Sequence, residues 1–448
     1  LINKIIDNKL LFIGIHIVIG YLATLPWFPK PFGLGVIAFC VFLVVKTKNR
    51  NEEAFLLAMY VAGAEVFIRM IKGFVFYETG KYSVILLLFL GIFLGKFKQK
   101  FAIQYLFYLL LLSLGIVFTQ VPEGESIRNA IVFNLSGPVV LGIAALYFYK
   151  RPIQKEQVLS ALYFMILPIF SMVTFLYFRT PDIREIVFGG GANFQTSGGF
   201  GPNQVATAIG AGIFIIVVFI LLKVKFTGFL ILDILFLAYF IYRGLLTFSR
   251  GGIITGFAAI IFFSFFFFLH KNGSLKVFFN YFLMGGLFLF VIWVYTSNIT
   301  GGMLENRYAG KNAKGVEKKD ITSGRLDIIE EQFKSFFVSP LGIGVGNGKF
   351  KRQLSQEHVT AASHNEVGRL VEEHGIIGFI ILIGLMFIPM INFIFFDNLQ
   401  RAFIISFYLF WFLTVNHSAM RIAFPGLIYA LSLIKIKDND YNTDIENE

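Results

Sequence analysis

The feature that most constrains this chain is the repetition of long, continuously apolar runs. They lie at 10–28, 31–45, 54–76, 81–95, 101–118, 131–149, 159–178, 205–222, 229–247, 252–269, 278–296, 373–395, 402–415 and 421–435. Crossing a hydrocarbon core of ~30 Å takes about 20 helical residues, and most of these runs approach that length. Their apolar positions do not alternate, which excludes a transmembrane β-barrel. Nor is there polar material for a water-facing shell. Hydrophobic residues make up 56% of the 448 and charged residues 15%, against about 25% charged in soluble domains. The expected fold is all-α: a polytopic membrane protein with about 12–14 transmembrane helices and a large, partly helical extracytoplasmic loop.

The net charge of +12 does not indicate nucleic acid, because no basic stretch carries a nucleic-acid-binding module. Lys and Arg instead follow the bias of membrane proteins toward cytoplasmic loops. With the N-terminus inside, the short inner segments hold 18 of them, including Lys96, Lys98, Lys100, Lys150, Arg151, Lys435 and Lys437. The short outer loops hold seven: Lys30, Lys81, Arg128, Arg179, Arg184, Arg250 and Arg421. Both termini are therefore expected in the cytoplasm. Cys40 is the sole cysteine, so neither a disulfide nor a cysteine metal site is expected.

The chain divides into N-terminal transmembrane helices (1–178), a second helical block (179–296), a large outer loop (297–372), C-terminal helices (373–437) and a cytoplasmic tail (438–448). Two outer segments stand out. One is the Gly-rich stretch 179–204; the other is the long 297–363, with helical patterning at Leu326, Ile329, Phe333, Phe336 and Phe337. Long loops in compact proteins are usually functional or disordered. An extracytoplasmic site has no ATP, so a transfer reaction there needs a pre-activated donor.

Three positions carry candidate chemistry. Arg250, in Thr247-Phe248-Ser249-Arg250-Gly251, stands between two spans joined by almost no loop. A guanidinium there is costly without an anionic partner, and its planar fork suits a diphosphate; a snorkelling side chain is the plain alternative. Arg325 opens the loop helix, where positive charge is locally unfavourable, which suggests either an external anion or an ion pair with Asp327 or Glu331. His364 lies at the water–membrane boundary, where an imidazole can act as general base or serve structure alone. Arg243, two turns from Arg250, either extends the anion site or pairs with Asp233; Glu65 and Arg69 can pair at i, i+4. His364 and His374 are too far apart on one helix for a metal site, and no metal or cofactor is expected.

Four stretches, in order and on one side of the membrane, resemble the O-antigen ligase and polymerase family of bacterial membrane glycosyltransferases. They are Gly201-Pro202-Asn203-Gln204; the Ser249-Arg250-Gly251 turn; Ser323-Gly324-Arg325 followed by Pro340-Leu341 and Gly344-Val345-Gly346; and His364-Asn365 with Glu373, Gly375 and Gly378. The resemblance covers about 201–380. Gly342 interrupts the usual spacing after Pro340, and Gly368 and Arg369 stand where the family often has bulkier apolar residues.

The resemblance implies a glycan donor on undecaprenyl diphosphate in the bacterial inner membrane, with the site facing the periplasm. It implies that Arg250 and Arg325 hold the diphosphate and that His364 takes the proton from an acceptor hydroxyl, with inversion and without metal. Asn203, Ser249, Asn365 and Arg243 are expected to line the substrate site. The expected partners are that donor, a glycan, lipid A–core or other hydroxyl acceptor, and membrane lipids. A polymerase of lipid-linked repeat units and a protein O-oligosaccharyltransferase share these features. A flippase is disfavoured, because its polar residues would line the middle of many spans.

Overall fold

The computed structural model describes residues 7–95, 101–186, 188, 191–271, 273, 275–318, 324–355 and 363–437. It is helical almost throughout. The N-terminal block comprises α1 (Lys9–Leu22), α2 (Pro29–Thr47), α3 (Glu53–Met70), α4 (Thr79–Leu94), α5 (Ile103–Leu114), α6 (Ile127–Phe148) and α7 (Lys155–Arg179). There follow α8 (Pro202–Leu221), α9 (Leu230–Leu246), α10 (Arg250–His270) and α11 (Leu275–Ile299). The long loop contributes α12 (Met303–Tyr308), α13 (Arg325–Val338) and α14 (Asn347–Ser355), and the chain closes with α15 (Glu366–Phe393), α16 (Asn398–His417) and α17 (Ala423–Leu431). Among the described residues, eight helices (α2, α6, α7, α8, α10, α11, α15 and α16) are long and apolar enough to cross a membrane. The protein is an all-α polytopic membrane protein.

Burial separates the central helices from the rim. In α7, 89% of the spanning window is covered by protein, against 6% in α11. The rim side chains Phe279, Phe282, Leu283, Leu287 and Phe290 are exposed, as lipid-facing residues should be. Where helices cross, small residues let backbones touch, the usual means of packing in a solvent as apolar as the side chains. At the crossing of α8 and α10, a β-carbon on Gly256 would lie 2.6 Å from the Gly210 carbonyl oxygen, and one on Gly252 would enter the backbone of Ala206 and Thr207.

A short parallel pair, β1 (Pro152–Gln154) with β2 (Lys435–Lys437), joins the α6–α7 connection to the segment after α17. Both segments were assigned to the cytoplasmic side on charge, and the pairing holds them on one side. The run 421–435, expected as a span, forms α17, a helix of only nine residues, about 14 Å at the helical rise, all of them buried. It lies inside the bundle against α6, with Gly137 against Met420 and Gly426 against Leu141.

Beneath the site, buried charges are matched. Arg69 pairs with Glu65 at 2.6 Å and Glu78 at 3.1 Å, and Lys81 also meets Glu78. Arg69 donates to the Arg421 carbonyl at 2.8 Å, and Glu65 accepts from the Ala423 N–H. Arg369 joins Glu366 and, at 2.7 Å, Glu373. Such pairing is what makes buried charge tolerable.

Candidate active site

The turn between α9 and α10 is tight and strained. Phe248 has φ +56°, a left-handed conformation uncommon for a bulky residue. Its surroundings fix it there. The ring stacks on Phe188 with centroids 4.6 Å apart, and the carbonyl accepts from Nε of Arg307 at 3.1 Å. Ser249 occupies the N-cap position of α10 without capping it. Its hydroxyl instead donates to Oδ1 of Asn203 at 2.7 Å. Asn203 lies in the first turn of α8, which also starts without a side-chain cap. One hydrogen bond thus sets two helix N-termini side by side, and helix N-termini favour anions.

Arg243 has hydrogen-bond partners in the Gly-rich segment. Nη2 donates to Thr180 Oγ1 at 2.8 Å and to the Thr196 carbonyl at 3.3 Å. With the Asn193 N–H on the Thr247 carbonyl, it clips the Gly-rich segment onto the end of α9. Asp233 accepts from the backbone and hydroxyl of Thr227.

Arg325 is the first residue of α13, directly after Gly324 at φ +75°. Among the described residues it makes no ion pair with Asp327 or Glu331. Burial and then the charge of Arg250 lower its pKa. The pKa of Arg307 is lowered by burial, then by Arg250 and Arg325. Guanidiniums stay charged through such shifts, so three cations share one electrostatic field.

His364 reaches the same field. Its pKa is pushed down to about 4, first by the protein packed around it and then by Arg325 and Arg421. The neutral ring therefore holds a free lone pair at neutral pH. Its position is set from both sides. Arg421 donates to the carbonyl of Ser363 at 2.9 Å; Asn365 donates to Asn416 at 3.3 Å while its Oδ1 accepts from the Gly368 N–H. His417, at the end of α16, donates Nδ1–H to the Leu413 carbonyl, and its Nε2 faces Thr207 Oγ1 at 3.3 Å. A mostly apolar cleft of about 770 Å³ opens beside the Phe188–Phe248 stack, lined in part by Ile186, Tyr295, Asn298 and Met303.

Arg250, Arg325, His364, Asn203, Ser249 and Asn365 are therefore brought to one face by α8, α10, α13, α15 and α16. Residues 235–383 match the family model described as O-antigen ligase. The match covers about a third of the chain and makes that segment similar to the O-antigen ligase family. No curated protein matches the chain. The matched segment runs from α9 into α15 and contains Arg243, Ser249, Arg250, Arg325, His364 and Asn365. That likeness supports an O-antigen ligase or polymerase-type membrane glycosyltransferase.

The departures from the family pattern have local causes. Gly342 takes φ +91° where a β-carbon would collide with the backbone at Glu373 and His374. A side chain on Gly368 would strike Gln332, which donates to Glu372 at 3.2 Å. Glu372 also holds Arg352 at 3.0 Å, so these residues seat the long loop on α15. Sequence reasoning missed Arg307, Asn416 and His417, and took Arg421 for an ordinary loop charge.

Proposed function

We propose that this protein transfers a glycan from undecaprenyl diphosphate to an acceptor hydroxyl, such as one on lipid A–core, at the periplasmic face of the inner membrane. The carrying observation is the joint placement of Arg250, Arg325 and His364 beside two helix N-termini. Arg250 and Arg325 hold the donor's diphosphate. His364 accepts the proton as the acceptor oxygen attacks the anomeric carbon from the face opposite the diphosphate. The new C–O bond forms, the old one breaks with inversion, and its electron pair leaves on the diphosphate oxygen. Guanidiniums supply the charge stabilisation that other transferases draw from a divalent cation. Arg243 acts through the segment it clips, and Asn203, Ser249 and Asn365 orient the groups that touch substrate.

The test is transfer by purified protein given lipid-linked donor and acceptor. The wild type should work in EDTA, and Arg325→Ala should abolish transfer while the protein still accumulates. Near-normal transfer by Arg325→Ala removes that residue from the site, and strict magnesium or manganese dependence overturns the two-arginine scheme. Growth of the glycan on its lipid carrier in place of the added acceptor identifies a polymerase.

A further inference from the structure

The proposed reaction changes the charge of the group that leaves. A diphosphate esterified at both ends carries two negative charges. Once the glycosidic C–O bond breaks, the electron pair stays on the terminal phosphate oxygen and the polyprenyl diphosphate carries up to three. Two guanidiniums, Arg250 and Arg325, match the donor as it binds. The charge that develops during bond breaking needs a further cation, and stabilisation realised only at that stage raises kcat without tightening donor binding.

Arg307 stands where that cation is needed. Nε donates to the carbonyl of Phe248, two residues before Arg250, at 3.1 Å. One edge of the guanidinium is thus fixed to the turn that carries Arg250. Helix α12 places the rest of it in the field of both Arg250 and Arg325. The side chain is only partly buried, so a ligand can approach it. Tyr308, the next residue, lies in the field of Arg250 and Arg307 and meets Trp293 edge-to-face with centroids 4.7 Å apart. Arg307 is anchored, shares the field of the other two arginines and comes from a different helix from either of them.

We propose that Arg307 is a third arginine of the active site, a catalytic residue that contacts the terminal phosphate of the leaving polyprenyl diphosphate as its bond to the sugar breaks. The proposal rests on the glycan-transfer reading above.

The experiment measures kcat, donor KM and product inhibition by undecaprenyl diphosphate for the full-length protein and for Arg307→Gln. The variant should lose about tenfold or more in kcat, keep donor KM within about twofold and be inhibited less by the product. An unchanged kcat, or a loss carried by KM alone, overturns the role. Arg250→Ala and Arg325→Ala are measured alongside. If they transfer normally, the functional reading fails; if they are inactive while Arg307→Gln is normal, only the third-arginine assignment fails. A binding measurement on unaltered protein covers the case in which Arg307→Gln does not fold. Inorganic diphosphate should change tryptophan emission saturably, and Trp293→Phe should remove that change. No saturable change in the unaltered protein overturns the assignment.

Discussion

The imidazole of His417 occupies the space that a side chain on Gly251 would need. A β-carbon built on Gly251 would lie against Cδ2 and 2.5 Å from Cγ of the ring. The glycine after Arg250 is thus explained by a residue far along the chain, at the end of α16. Because the ring also faces Thr207 in α8, His417 joins the starts of α8 and α10 to the end of α16.

Gly251→Ala should therefore displace Arg250. Overpacking of a filled contact costs about 1–3 kcal/mol, so the variant should fold with a lower melting temperature and a severe loss of transfer. Pairing it with His417→Ala should restore stability, measured by thermal melting in detergent. Unchanged stability in the single variant contradicts the contact.

Arg250→Lys keeps the charge but loses the two parallel donors of the guanidinium. Transfer should fall about tenfold to a hundredfold below wild type, while Arg250→Ala should be inactive. Equal rates for lysine and arginine would show that charge alone suffices.

His364 is held neutral down to about pH 4 by its packing and by the charges of Arg325 and Arg421. A nearby cation disfavours the protonated ring, so removing one must raise the pKa. In Arg325→Gln the titration of His364, followed by the pH dependence of its reaction with diethylpyrocarbonate, should move upward toward the ordinary histidine value of about 6.5. In the wild type, transfer should be lost only as pH falls through the His364 value. A midpoint unmoved in Arg325→Gln separates the two residues.

Arg369 lies between Glu366 and Glu373, all three buried. Arg369→Met leaves two carboxylates unpaired and should cost about 3–5 kcal/mol. The loss should appear as a lower melting temperature and reduced accumulation. A melting curve like that of wild type would mean that the carboxylates find other partners.

Orientation is tested with single cysteines in a Cys40→Ser background. Those at Ser197 and Ser355 should react with an impermeant thiol reagent in cells opened only at the outer membrane. One at Ser274 should react only after the inner membrane is lysed. Labelling of Ser274 but not Ser355 inverts the topology and removes the extracytoplasmic site.

Most helices were legible because hydropathy over about 20 residues reports a lipid or protein environment directly. The run 421–435 shows the limit of that signal: hydropathy does not tell that its helix is only nine residues long and wholly buried by protein. The turn that ends α3 was also hidden, since the run 54–76 stays apolar past Met70 while Lys72 adopts φ +57°. Arg250, Arg325 and His364 were readable because each is locally out of place. Arg307, Arg421 and His417 were not, because nothing local is wrong with them. Their significance comes from the Phe248 carbonyl, the Ser363 carbonyl and Gly251, which only the folded chain brings near. Gly342, Gly368 and Arg369 looked like family departures for the same reason.

The crossing of α8 over α10 at Gly210, Gly252 and Gly256 has a consequence for how the protein tolerates its surroundings. The spacing between Asn203 and Arg250 is set by peptide backbone resting on peptide backbone, not by side chains free to change rotamer. Bilayers that thicken, thin or stiffen with growth temperature can tilt the helix pair, but they tilt it as one piece. The gap between the starts of α8 and α10 should keep its width across membranes of different composition, while a residue larger than glycine at the crossing should make that width a variable.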